Sequence, residues 1–138
     1  MSRWLIKSEP HVYPFSQLEK DEKTSWTGVR NFEARNNLRA MKKGDLALYY
    51  HSNVGKEVVG VAKIVREAYA DPTAPKDEDW STVDVAPLKA FASPVSLASI
   101  KAAAKLKDIA LVRRSRISVV PLSEAEFREV LKMGKTHV

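Results

Sequence analysis

The chain has 138 residues, enough for one domain of ordinary size. It contains no cysteine, which excludes a disulfide framework, a thiolate metal site and a thiol nucleophile. Its 44% hydrophobic and 29% charged residues make a globular balance, and no apolar run approaches the roughly 20 residues that span a bilayer. The first residues, MSRWLIKSEP, carry no apolar leader, so a soluble, cytoplasmic, monomeric protein without membrane contact is expected.

Residues 3–7 alternate, with Trp4 and Ile6 on one side, and read as a first strand. Ser16 followed by Glu19 has the spacing of a capping box and predicts a short helix over residues 17–22. Residues 24–31 (TSWTGVRN) are irregular. Asn31 then predicts the start of a helix over 32–42, with Gly44 just past its end. Residues 45–52 alternate as a strand, 53–56 supply turn residues, and 58–65 return as the buried second strand of a hairpin. The stretch 70–79 is rich in proline and acid and reads as a loop. Residues 81–92 are strand-like but broken at Pro87. Ser96 and Ser123 begin two later helices, the second with Glu126 completing a capping box, and 116–120 lie between them as a strand. Five or six strands, several adjacent in sequence, predict a small mixed α+β fold: a partly closed sheet with helices around it. With five glycines and no glycine-rich phosphate loop, a doubly wound parallel sheet fits poorly.

Lysine and arginine outnumber aspartate and glutamate 23 to 17, for a net charge of +6. Two stretches carry the excess. Residues 28–46 hold Arg30, Arg35, Arg39, Lys42 and Lys43, and residues 101–116 hold Lys101, Lys105, Lys107, Arg113, Arg114 and Arg116. Between them, 67–84 is acidic. If both basic stretches share a face, they make a field suited to a polyanion. The three histidines (His11, His51, His137) show no metal-ligand spacing, and nothing pairs a nucleophile with a base and its orienting partner. Binding is expected rather than catalysis, with no cofactor and no metal.

Polar groups and aromatics crowd together in WLIKSEP (4–10), WTGVRNFEARNNLRAMKKGD (26–45), YYHS (49–52), WSTVDV (80–85) and SRISVVPL (115–122). These blocks, in this order and over nearly the whole chain, closely resemble the EVE domain. The resemblance implies a single EVE domain over 1–138 with a PUA-like fold, a small β-barrel of five or six strands flanked by helices. EVE domains are similar to YTH domains, which bind a methylated base in an aromatic cage. The matching features are a strand ending in Lys7–Ser8 and the following Trp26. The resemblance thus implies a reader of modified nucleobases in DNA or RNA, leaving any downstream effector to a separate protein.

On that footing Trp26 becomes the first cage wall, by its match to the YTH position, with Trp80 or Tyr50 as a second surface. Lys7, Ser8 and Glu9 border the pocket. Asn31 with Arg30 holds the loop or the base, although Asn31 could equally serve the fold alone, as could Arg116. His51, Ser52 and Asn53 are suitable types for fixing a base edge. Arg35, Arg39, Arg113, Arg114 and Arg116 are phosphate candidates. The competing expectations are a generic RNA-binding PUA-like domain indifferent to modification, a small nucleotide-processing enzyme, and a protein-interaction domain.

Overall fold

The computed structural model describes all 138 residues. Strands β1 (Arg3–Ser8), β2 (Thr24–Ser25), β3 (Leu46–His51), β4 (Glu57–Ala70), β5 (Ser81–Ser96) and β6 (Val119–Leu122) form one sheet in the order β2-β5-β4-β3-β1-β6. Only β1 and β3 are parallel, with Ile6 opposite Tyr49, Lys7 opposite Tyr50 and Ser8 opposite His51. The end strands β2 and β6 do not pair with each other, so the sheet is open and not a closed barrel.

Alternation along the strands divides the core in two. Trp4, Ile6, Ala47, Tyr49, Ile64 and Val85 face one side, where α1 (Phe15–Asp21) and α2 (Phe32–Ala40) bring Phe15, Leu18, Ala34 and Leu38. Leu5, Leu48, Tyr50, Val61 and Val120 face the other, under α3 (Leu97–Ala102), α4 (Ala110–Arg113) and α5 (Glu124–Met133). A one-residue step along β1 or β3 therefore moves a side chain from one core to the other.

Three of the five helix starts follow local side-chain capping, and α1 and α4 do not. Asn31 accepts the Ala34 amide, Ser96 accepts the Ser99 amide, and Ser123 with Glu126 forms the expected box. The Ser16–Glu19 box does not form: α1 begins at Phe15, whose amide donates instead to His51 Nε2 on β3 at 3.1 Å. Burial of the Phe15 ring sets that start. The ring lies so close to Gly60 of β4 that a Cβ there would come within 2.6 Å of it. Nor does Pro87 break its strand, because β5 runs through it with a register shift against β4 between Val61 and Ala62.

Candidate nucleic-acid interface

A hollow of about 440 Å³ lies between β2 and the Lys7–Ser8 end of β1, beside Tyr13 and the core residue Trp26. Two segments form its aromatic part. The turn from Glu9 to Pro14 brings up Tyr13, and the chain leaving β2 brings up Trp26, whose amide bonds the Val83 carbonyl at 2.8 Å. The two rings meet edge to face, centroids 6.4 Å apart and planes at 82°, so they form a corner rather than parallel jaws. Tyr49 backs the corner, edge-on to Trp26 at 5.5 Å, and its hydroxyl donates to the Tyr13 carbonyl at 2.5 Å. Burial raises the Tyr49 phenol pKa, keeping that donor protonated.

Lys7, Ser8, Arg30 and Ser118 also line the hollow, with Thr24, Ser25 and Thr27. No carboxylate is among its lining residues. Lys7 Nζ donates to the Ser115 carbonyl at 3.0 Å, and burial lowers its pKa, so an anionic or acceptor-rich ligand would relieve a partly desolvated ammonium. Of the three tryptophans, Trp4 gives its indole N–H to Asp45 and Trp80 gives its own to Glu78. The indole N–H of Trp26 finds no acceptor within the protein yet is not sealed from solvent, which leaves a donor for a guest.

Trp26 itself departs from expectation. It is 9% exposed and belongs to the core, so it offers no open stacking plane; it is a core residue whose accessible part borders the hollow. Tyr50 cannot be a cage wall, because it is 4% exposed and points into the opposite core, as its place one residue after Tyr49 dictates. Trp80 also stands outside the hollow, stacked on Phe32 at 5.2 Å. Asn31 spends its side chain on the α2 cap. Glu9 and the Asn53 amide bond each other, His51 accepts from Phe15, and the Ser52 amide bonds the Ser8 carbonyl. These four residues brace the Tyr13 turn against β3 and do not line the hollow.

The phosphate candidates divide in the same way. Arg35 donates to the Asp79 carbonyl and to Asn36, while Arg39 bonds Ser81 and makes a 2.7 Å ion pair with Asp79. Both hold the acidic loop against α2, so charges of the first basic stretch are met by the acidic one. Arg114 pairs with Glu33, and Arg113 with Asp108 at 3.4 Å. Arg116 has no partner and lies exposed beside Ser115, the residue Lys7 reaches.

Residues not foreseen include Tyr13 and Ser118 in the lining and Asp71 behind it. The Asp71 side chain is fully buried and accepts from the Gly28 amide at 2.9 Å, from Arg30 at 3.0 Å and from Thr73. Desolvation pushes its pKa up, but these hydrogen bonds outweigh it and hold the carboxyl at about 2. One acid in an acidic, proline-containing stretch carries no periodic signal of burial. For Tyr13 the only cue is an aromatic next to a proline between two elements.

The model of the EVE domain matches residues 2–133. Human thymocyte nuclear protein 1 is 36% identical over 169 residues, spanning 96% of this chain and 73% of its own length. Among solved structures, protein Atu2648 from Agrobacterium tumefaciens superposes with a TM-score of 0.96 at 41% identity, over 99% of this chain and 94% of its own. Human THYN1 in complex with 5-methylcytosine-containing DNA superposes with a TM-score of 0.89 at 34% identity, over all of both chains. A YTH domain, that of Zygosaccharomyces rouxii MRB1 in complex with N6-methyladenosine RNA, shares the fold with a TM-score of 0.62 at 18% identity, over 99% of this chain and 88% of its own. The expected cytoplasmic setting does not stand, because these curated relatives are named for the nucleus and the human one is solved on DNA.

Proposed function

The chain belongs to the EVE domain family, and on that premise we propose that it is a non-catalytic module that binds nucleic acid and reads a modified base, received in the Tyr13–Trp26 hollow after leaving its stack. The observation that carries this reading is the composition of the hollow: an aromatic corner, one free indole donor, several serines and threonines, Lys7 and no carboxylate. Its 440 Å³ falls in the range of roughly 300–1,000 Å³ typical of small-ligand sites. The human relative solved with 5-methylcytosine-containing DNA supports the same ligand class.

Magnitudes divide the work between the parts. Extruding a base from a duplex costs a few kcal/mol. Stacking on an aromatic returns about 1–3 kcal/mol, which roughly offsets that cost. Burying a methyl group adds only about 0.8 kcal/mol, a factor of about four in affinity. Stronger discrimination comes from polar groups left unpaired when the wrong base enters, a role this reading gives to Trp26 Nε1 and Lys7 among the lining residues. Net affinity then depends on phosphate contacts from the exposed basic turn at Arg116.

Titration of matched DNA and RNA oligonucleotides, each with and without 5-methylcytosine or N6-methyladenine, tests the reading. At least one marked oligonucleotide is expected to bind tenfold or more tighter than its unmarked twin. Equal affinities across the series would replace this reading with a generic RNA-binding domain, and turnover of a nucleotide would replace it with an enzyme.

A further inference from the structure

Phe32, the first residue of α2, is 65% exposed, although a large aromatic ring is costly to leave in water. It is not isolated. The Trp80 indole lies on it with centroids 5.2 Å apart and planes at 17°. Arg35 sits 4.9 Å from the Phe32 centroid and 5.7 Å from that of Trp80, so a guanidinium flanks the stack. A second, Arg30, lies 5.7 Å from the Trp80 ring and also lines the hollow. The residue after Phe32, Glu33, pairs with Arg114 of the basic turn. An exposed aromatic stack, two cations and the hollow are thus contiguous.

We propose that the Phe32–Trp80 stack is a second base-binding ledge, which receives the nucleobase adjacent to the marked one on the same strand. The proposal deepens the reading given above and rests on it. A nucleotide that enters the hollow leaves its neighbour without a stacking partner, and an open aromatic face beside the hollow replaces that partner whatever the neighbour's identity. Clamping the acidic loop onto α2 accounts for the contact between the two rings, but it does not require Phe32 to keep the rest of its ring open. The flanking guanidiniums suit a polyanionic strand and would add cation–π attraction to a stacked base.

The test uses the full chain and single-stranded trinucleotides centred on 5-methylcytosine, flanked either by bases or by abasic residues. Wild type is expected to prefer the base-flanked ligand by roughly five- to a hundredfold. Phe32→Ala should abolish that preference, Phe32→Trp should restore it, and free 5-methylcytidine should bind wild type and Phe32→Ala alike. A wild-type ratio of one, or a ratio unchanged in Phe32→Ala, overturns the ledge. If Phe32→Ala does not fold, the wild-type comparison alone decides. A flanking-base preference that persists when marked and unmarked centres bind equally supports the ledge and removes the modified-base reading of the hollow.

Discussion

The Asp71 carboxylate accepts the Gly28 amide at 2.9 Å across 43 residues of sequence, and this bond joins the acidic loop to the wall of the hollow. Gly28 has φ of 85°, a conformation that favours glycine, and its amide faces an acceptor that is fully buried. The same oxygen, Oδ2, receives Arg30. Asp71, in a stretch that reads from sequence only as an acidic loop, is therefore an internal tie to Gly28 and Arg30 at the wall of the hollow.

Asp71→Asn should destabilise the protein by about 2–3 kcal/mol at neutral pH, the linkage value for a carboxyl held near 2 against an ordinary value near 3.9. Because the folded pKa is depressed, this contribution is complete above about pH 4 and is lost as pH falls toward 2. Urea unfolding at pH 7 and pH 3 checks it. The variant should lose less stability than wild type between those two values, and an equal loss would mean that Asp71 has no special tie.

Trp26→Ala should cost about 3–5 kcal/mol of stability, since it removes a buried ring in contact with Tyr13 and Tyr49. Loss of binding in that variant would not separate wall from core. Tyr13→Ala does: Tyr13 is half-buried, and its side-chain hydrogen bond goes to exposed Asp21. It should keep the fold, by circular dichroism and urea midpoint, while affinity for a marked oligonucleotide falls about tenfold. Unchanged affinity would take Tyr13 out of the site.

Strands β1, β3 and β4, the later helix caps and the α2 start are legible in the sequence because periodicity and capping are local, whereas the two-residue β2 falls in a stretch that reads as irregular and β5 runs unbroken through Pro87. The burial of Trp26 is not legible in sequence because it depends on Tyr13 and Tyr49, which reach it from 13 and 23 residues away along the chain. Tyr50 is misjudged for another reason: in a strand buried on both faces, alternation does not say which face holds the site. Arg35 and Arg39 look free because their partner, Asp79, lies 40 or more residues on. Charge runs read singly hide such pairings.

Those pairings change what salt dependence should show. Arg39→Ala should leave the slope of log affinity against log salt unchanged, since its charge is already met by Asp79, and it should cost at most about 1 kcal/mol of stability. Arg116→Ala should reduce the slope by about one unit, one phosphate contact, and weaken marked and unmarked ligands alike. Filter binding or fluorescence anisotropy over a salt series measures both. A slope lost in Arg39→Ala and kept in Arg116→Ala would move the polyanion path from the basic turn to α2.

His51 adds a second pH dependence, well separated from that of Asp71. Its Nε2 accepts the Phe15 amide, which only the neutral ring can do. Burial lowers its pKa, and the nearby Glu57 charge offsets this only in part. The folded value therefore lies below the ordinary 6.5, so the stabilisation is complete above that pH and is lost as pH falls through the lowered pKa. Protonation frees the start of α1 and with it the Tyr13 turn, one residue before Pro14. Wild type should thus lose both stability and affinity for a marked oligonucleotide between pH 7.5 and pH 5. His51→Gln, whose side-chain carbonyl can accept the same amide without titrating, should lose less of each. Parallel pH profiles for the two proteins would show that the His51 bond braces nothing at the site.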